Sequence, residues 1–426
     1  MGTVLAREES DRENESVPVI DPPLVSIADL ADGGAGGGGL ASLDGIGQVR
    51  DPLVLVGLDG TAPPEAVARA ADRVRAGGRL FVGVAAEPLP ETLRPLLTAL
   101  DTTLVAAATA GAIQGGADQG GAIRGGAIRG GADRGGADHD NTGHHSTGHH
   151  STGHDSTGHL TSGPGHQLCV PVADVEGEVA ALAAVVAGVP QAAVVLGQVL
   201  RATETLPVAA ALNVESFAYS MLLGGPEFRA WYDERGERSL PGLVAEPVLV
   251  RRDGSQLLIT LNRPERRNAY GRQLRDALAD ALRIALLDPG VERVVLDGAG
   301  PSFCAGGDLA EFGTTPDLTT AHFVRTQGGA GLLLSALKDR AEVHLHGPCV
   351  GAGVELPAFA GAVTAVAGTT FRLPEVGMGL IPGAGGTVSI PRRIGRWRTL
   401  YLALTGRPLD AETALGWGLV DAVGPA

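Results

Sequence analysis

Aromatic side chains, cysteines and basic residues are all scarce in this chain of 426 residues. Eight Phe, four Tyr and three Trp argue against a large aromatic cage, so the core must rest on Ala, Val and Leu. The three cysteines, Cys169, Cys304 and Cys349, lie far apart and without CxxC spacing. This pattern argues against a disulfide framework or a zinc knuckle and favours a reducing, cytoplasmic location.

Positive charge is in deficit, because 33 Lys and Arg stand against 48 Asp and Glu, a formal net charge of −15. Such a chain is repelled by nucleic-acid phosphates and by anionic lipid, so we expect neither nucleic acid nor a membrane as a partner. One uncharged stretch, residues 179–200, approaches the length of a membrane span but is interrupted by Pro190 and Gln191. It therefore predicts two buried helices joined at 188–190. The polar first residues contain no run of signal-peptide type.

A low-complexity tract at residues 111–165 divides the chain. Five-residue repeats rich in Gly fill it, and they cannot bury enough apolar surface to offset their backbone entropy, so the tract predicts a disordered linker. Eight of the eleven histidines lie between His139 and His166, which leaves two interpretations, a metal site or a tolerated repeat. We favour the repeat and predict no metal site, because nothing nearby fixes ligand geometry.

The flanking segments predict three further units. Residues 1–110 contain an apolar run, a helical stretch and a second apolar run, typical of a small β-α-β fragment without a catalytic constellation. Residues 166–245 are expected to form a helical region. Residues 246–426 alternate strands and helices, with a hairpin at Asp253-Gly254 and an amphipathic helix carrying Leu274, Leu278 and Leu282. The fold class is therefore α/β.

Three glycine-rich junctions in this last unit hold the polar groups that could carry chemistry. Residues 302–309 and 346–356 each follow a strand and precede a helix, so their N–H groups can face a ligand oxygen. The second junction ends in Glu355, and a third segment, residues 371–387, contains Glu375. Two turns of this kind with two glutamates in apolar surroundings indicate an acyl-transfer or enolate site more than a metal site.

These junctions, together with LNRPERRNA at residues 261–269, resemble the enoyl-CoA hydratase/isomerase (crotonase) family in order and spacing over residues 247–425. The resemblance implies a crotonase-like ββα spiral core. It implies that the amides of Gly307 and Ala352 form an oxyanion hole on the thioester carbonyl of an acyl-CoA. It further implies that Glu355 and Glu375 hold a water between them, one activating it and the other delivering a proton. Because members that only isomerise often lack one of these acids, the pair favours hydration.

Substrate contacts are implied for a further set of positions, namely Arg266, Arg267, Ala305, Gly306, Asp308, Leu309 and Gly351. Among them, the two arginines suit the CoA phosphates and Asp308 suits the orientation of the first turn. Either glutamate could alternatively be a solvated helix residue, although finding both at the family positions favours the catalytic interpretation.

Two features depart from the family pattern. Residues 357–361 stand where an acidic pair usually follows the second turn, so we expect altered helix geometry below the site. The chain also ends at Ala426, before the helical tail of ordinary members, whereas residues 180–235 resemble that tail. We therefore expect a permuted member in which the associated helical region precedes the core.

The resulting hypothesis is a cytoplasmic enzyme that hydrates a 2-enoyl-CoA, as part of acyl-CoA metabolism. It needs no cofactor beyond the coenzyme A of its substrate, and the family predicts a homo-oligomer, a trimer or hexamer. Two alternatives stay open. One is another reaction of the family, such as isomerisation, thioester hydrolysis or a cofactor-free oxygenation of an arylacetyl-CoA. The other is a non-catalytic CoA-binding scaffold.

Overall fold

The structure is a computed structural model that describes residues 21–33, 42–45, 47, 49–107, 166–236 and 238–425. The predicted linker at 111–165 lies outside these residues.

The N-terminal part forms a five-stranded parallel sheet in the order β1-β4-β5-β6-β7. Its strands are β1 (Leu24–Ser26), β4 (Leu53–Gly57), β5 (Leu80–Ala85), β6 (Thr102–Ala106) and β7 (Val170–Val172). A separate antiparallel pair consists of β2 (Ser42–Leu43) and β3 (Val49–Arg50), and the helices are α1 (Ile27–Asp32), α2 (Pro64–Arg75) and α3 (Arg94–Ala99). The predicted β-α-β succession is confirmed as β4, α2 and β5.

The pairing of β7 differs from the predicted unit boundaries. We expected residues 1–110 to be a fragment by themselves and residues 166–245 to be helical, yet β7 pairs with β6, with Leu104 opposite Val170. The sheet therefore includes chain from both sides of the predicted linker. Three residues, Val-Pro-Val, are too short to show a period, and Pro171 is compatible with a strand only at the edge of a sheet.

Four helices follow, α4 (Val175–Gly188), α5 (Pro190–Thr203), α6 (Val208–Leu223) and α7 (Pro226–Arg235). The predicted helix pair joined at 188–190 is confirmed as α4 and α5, which bend by 107° relative to each other. Within the described residues, no single helix is long and apolar enough to cross a membrane. The bent pair α4 and α5 has that length and apolarity only when the two helices are counted together.

The C-terminal unit is built on a six-stranded sheet in the order β16-β13-β11-β10-β9-β8. Its strands are β8 (Val248–Asp253), β9 (Gln256–Leu261), β10 (Arg293–Gly298), β11 (Ala341–Leu345), β13 (Ala362–Val366) and β16 (Ala422–Gly424). The predicted hairpin is confirmed, because β8 and β9 are antiparallel and Gly254 has a φ of 58° at their turn. The other pairings in this sheet are parallel.

A smaller sheet lies beside it, formed by β12 (Pro348–Val350), β14 (Thr370–Arg372) and β15 (Leu409–Asp410). The helices of this unit are α8 (Arg272–Leu287), α9 (Leu318–Gly328), α10 (Gly331–Ala336), α11 (Ala352–Glu355), α12 (Gly386–Ser389), α13 (Pro391–Thr405) and α14 (Ala411–Trp417). Leu274, Leu278 and Leu282 form the buried face of α8, as their spacing predicts. A 3-10 turn, Pro357–Phe359, follows α11 closely.

The helices α4 to α7 connect the two sheets. Leu80 of β5, Leu196 of α5 and Leu402 of α13 belong to one cluster of buried side chains. The approach of α5 to β5 is close, since a Cβ added to Gly197 would lie 2.4 Å from Leu80 Cδ2. This packing places the helical region on the C-terminal unit, as the permutation hypothesis requires, while the correspondence to the family's tail stays a prediction.

Arg396 of α13 connects the C-terminal unit to the N-terminal part of the chain through buried hydrogen bonds. It is 5% exposed and donates to the carbonyls of Leu100 at 2.9 Å, Ala99 at 3.1 Å and Thr98. These carbonyls lie at the C-terminal end of α3, where helical acceptors have no partner within the helix. Glu204 lies 3.2 Å from the same guanidinium.

We expect Arg396→Ala to lower the free energy of unfolding by about 3 kcal/mol, because it leaves several buried carbonyls without a donor. Urea denaturation measures the change. Arg69→Ala is the matched control, since Arg69 pairs with Asp32 on the surface and such pairs contribute less than about 1 kcal/mol. Equal effects of the two substitutions would contradict the stabilising role assigned to Arg396.

Candidate active site

A cavity of about 460 Å³ lies where the C-terminal unit, including α9, meets α6 of the helical region. Residues from both parts of the chain line it, among them Glu215, Tyr219, Gly307, Arg325, Ala352 and Glu375. The cavity therefore combines the predicted turns of the C-terminal unit with side chains of the helical region.

Two glycine turns form one wall of the cavity through direct backbone contact. Val350 N donates to Cys304 O at 3.1 Å. A Cβ on Gly353 would lie 2.2 Å from Cys304 O, and one on Gly306 would lie 2.9 Å from Val350 O. A side chain at either glycine would push the turns apart, so their close approach depends on glycine.

The amides of Gly307 and Ala352 are both available to a ligand. Tyr270 exchanges backbone hydrogen bonds with Gly306 O at 2.7 Å and Asp308 N at 3.4 Å, which leaves the intervening Gly307 N on the other side. Ala352 is the first residue of α11, where a helix has no acceptor for its N–H. Among the described residues, neither amide donates to a protein acceptor. Two free amides lining one cavity are what an oxyanion hole requires.

Glu355 is held by its position on α11 and by two backbone amides. Its side chain is 2% exposed, and its Oε2 accepts from Ala384 N at 2.7 Å and from Gly386 N at 2.9 Å. These bonds fix the carboxylate by one oxygen and leave Oε1 for other contacts.

Glu375 approaches Glu355 across Gly351. It begins a 3-10 turn after β14, is 8% exposed, and its Oε2 has no hydrogen-bond partner among the described residues. A Cβ on Gly351 would lie 2.4 Å from Glu375 Oε1 and 3.7 Å from Glu355 Oε1, so the two carboxyl groups converge on one point. Gly351 also has a φ of 48° and a ψ of −117°, a conformation that requires glycine.

Burial shifts the titration of both acids towards neutrality. It raises the pKa of Glu375 to about 7. It also raises the pKa of Glu355 well above the usual range, and the negative charges of Glu375 and Glu215 raise it further. Two coupled carboxyl groups of this kind share protons near neutral pH, so an acid form and a base form coexist.

Comparison with known proteins identifies the family of the chain. The family model for enoyl-CoA hydratase/isomerase matches residues 251–426. A probable enoyl-CoA hydratase of Mycobacterium bovis is 34% identical over 186 residues, which cover 43% of this chain and 71% of that protein. The chain belongs to the enoyl-CoA hydratase/isomerase family. The predicted α/β fold class with a crotonase-like core is thereby confirmed.

Two further members of the family illustrate the range of its reactions. The 2,3-dehydroadipyl-CoA hydratase of Escherichia coli is 34% identical over 179 residues, covering 42% of this chain and 69% of that protein. The 1,2-epoxyphenylacetyl-CoA isomerase of the same organism is 34% identical over 182 residues, with the same shares of 42% and 69%. The family thus includes hydratases and isomerases.

Other predicted contact residues lie around the cavity. Arg266 forms a two-pronged ion pair with Asp308, at 3.0 and 2.6 Å, and Asp308 also accepts from Ala310 N at 3.1 Å, which holds the first turn. Arg266 and the exposed Arg267 are not among the residues that line the cavity, so their contact with CoA phosphates stays a prediction. The remaining positions, Ala305, Gly306, Leu309 and Gly351, shape the turns without lining the cavity.

Several cavity residues are not predicted from the sequence. Glu215 and Tyr219 belong to α6, outside the matched segment. Arg325 of α9 donates to Ser216 Oγ at 3.1 Å and stacks on the Tyr219 ring at 4.5 Å. The only local signal is Glu215 itself, the single charged residue of an otherwise uncharged helix. A buried acid in such a helix points to a specific partner.

We expect Glu375→Gln to weaken the pH dependence of stability. A carboxyl group whose pKa rises from 4.5 in the unfolded chain to about 7 in the folded protein favours folding below about pH 4.5 and loses this effect as pH rises through 7. The unfolding free energy of the wild type should fall between pH 4.5 and pH 8. The fall in the variant should be smaller by about 1 to 3 kcal/mol. Urea unfolding at both values measures this. The control Glu292→Gln changes an exposed position and should behave as the wild type. Wild-type behaviour of Glu375→Gln would contradict the prediction, because it would mean that Glu375 is solvated.

Proposed function

We propose that this protein adds water to the double bond of a 2-enoyl-CoA. The observation that carries the proposal is the convergence of two buried carboxyl groups across Gly351, in one cavity with two backbone amides that donate to no acceptor among the described residues. The acyl-CoA substrate and the reaction are inferred from this arrangement and from the family.

The amides provide the electrostatic part of the proposed reaction. The thioester oxygen accepts from Gly307 N and Ala352 N, and these donors stabilise the negative charge that forms there as the enolate develops. Such donors act strongly because they are oriented before the reaction, and losing one typically costs about 3 to 4 kcal/mol.

The two glutamates move the protons. A water held between them loses a proton to the ionised carboxylate as its oxygen attacks Cβ of the enoyl group. The protonated carboxyl group then delivers its proton to Cα, which converts the enolate into the 3-hydroxyacyl thioester. Raised pKa values suit both roles, since one acid is protonated while the other is ionised near neutral pH. The reaction transfers only water and protons, so it calls for no redox cofactor.

The relatives support hydration and also name the second candidate. Two of the three relatives described above are hydratases by name, and one is an isomerase. Moving a double bond needs one acid to shuttle a proton, whereas adding water needs a group for each proton transfer. The presence of two converging carboxyl groups therefore favours hydration.

We expect the protein to hydrate crotonyl-CoA, and Glu355→Gln and Glu375→Gln each to lower kcat by about 10²- to 10⁴-fold, because each variant lacks one proton-transfer group. Loss of the enoyl absorbance follows the rate, mass spectrometry identifies the product, and calorimetry checks that CoA thioesters still bind. Glu292→Gln is the control and should retain full activity.

Other outcomes distinguish the alternatives. A product of unchanged mass with a displaced double bond would replace hydration by isomerisation. A wild type that binds the thioester tightly but forms no product would indicate a scaffold, if neither Glu355→Gln nor Glu375→Gln changes that binding.

A further inference from the structure

The backbone at residues 384–387 serves two carboxylates in alternation. Ala384 N and Gly386 N donate to Glu355, and the amides between and after them, Gly385 N and Thr387 N, donate to Glu215 at 2.8 and 2.9 Å. Successive N–H groups therefore face opposite sides, with one glutamate on each. The segment lies between the two acids and is held by both.

Glu215 reaches this segment from α6, outside the residues that match the family model. Its side chain is 2% exposed and accepts a third hydrogen bond, from Thr387 Oγ at 2.7 Å. Burial raises the pKa of Glu215 to about 7, although the three donors and the nearby Arg325 lower it. The carboxylate is therefore ionised above this pH. The three hydrogen bonds offset part of the cost of burying this carboxylate.

We infer that Glu215 is a positioning residue for the active site, because it clamps the backbone segment whose remaining amides hold Glu355. The helical region thus completes a site whose other parts belong to the C-terminal unit. Loss of this clamp frees two amides and allows the segment to move, and with it the carboxylate that Ala384 and Gly386 hold.

A second consequence is electrostatic. The negative charge of Glu215 raises the pKa of Glu375 beyond the effect of burial, while Arg372 lowers it. Glu375 accepts none of the four amides of residues 384–387, so a change at Glu215 acts on it chiefly through charge. Glu355 and the neutral Tyr219 also face this space. Removing the charge should lower the pKa of Glu375.

Glu215→Gln tests the inference, with Glu227→Gln as a matched control. Glutamine has one acceptor, so at least one of the two amides loses its partner. Glu227 of α7 likewise accepts from two backbone amides, Gln191 N at 2.6 Å and Ala192 N at 2.9 Å, but does not line the cavity. Both variants weaken an amide clamp, and of the two residues only Glu215 lines the cavity.

Two readouts separate positioning from a general structural role. In crotonyl-CoA hydration at pH 8, Glu215→Gln should lower kcat by about tenfold or more and leave KM within about twofold, because an interaction that aligns the reacting groups is lost. In an infrared titration, the Glu375 carboxyl band, assigned by its loss in Glu375→Gln, should shift its midpoint down by about one pH unit. Glu227→Gln should change neither.

The inference is overturned if Glu215→Gln leaves kcat and the midpoint at wild-type values, or if Glu227→Gln changes them equally. If Glu215→Gln does not fold, Thr387→Val removes only the hydroxyl donor and should give smaller changes in the same direction, which Thr387→Ser restores. Equal behaviour of these two variants would also overturn the inference. The kinetic readout rests on the proposed function. A wild type that hydrates nothing would refute that function, while the infrared titration would still test the clamp.

Discussion

Backbone contact between two glycine turns is the constraint on which the site depends. Cys304 O lies 2.2 Å from the place a Cβ of Gly353 would take, and Val350 O lies 2.9 Å from that of Gly306. No other residue type permits this approach, which brings the turn that carries Gly307 against the start of α11. The helix then places Glu355 one turn further on. The donors for an oxyanion and one of the acids are thus set by a single backbone arrangement.

The site buries several carboxyl groups, which is unfavourable for their ionised forms, and backbone amides offset part of this effect. Glu215, Glu355 and Glu375 line one cavity, and burial raises the pKa of each. Glu215 and Glu355 are stabilised by N–H groups of the same short segment, whereas Glu375 Oε2 has no hydrogen bond among the described residues. Oε2 of Glu375 is therefore available for proton exchange, while both oxygens of Glu215 and Oε2 of Glu355 are held by amides.

Local patterns predicted the parts of the fold that are themselves local. The hairpin at Gly254 and the apolar face of α8 each depend on a period or a turn preference within a few residues. The junction at 346–356 leads into α11 as predicted. The helix predicted directly after 302–309 is not found there, because turns follow and α9 begins only at Leu318. The roles of Glu355 and Glu375 came from the family resemblance, and the structure brings both to one cavity.

Long-range contacts were beyond reach of those patterns. The pairing of β7 with β6 joins chain from either side of the predicted linker through three residues that show no period. The contact of Glu215 with Gly385 and Thr387 spans more than 160 residues. Neither has a local signature, because each depends on how separate units pack.

The most direct test of the account is the ¹³C resonance of butanoyl-CoA labelled at the thioester carbon and bound to the protein. Donation by Gly307 and Ala352 predicts a downfield shift relative to free ligand, and an unchanged resonance for fully bound ligand would contradict it.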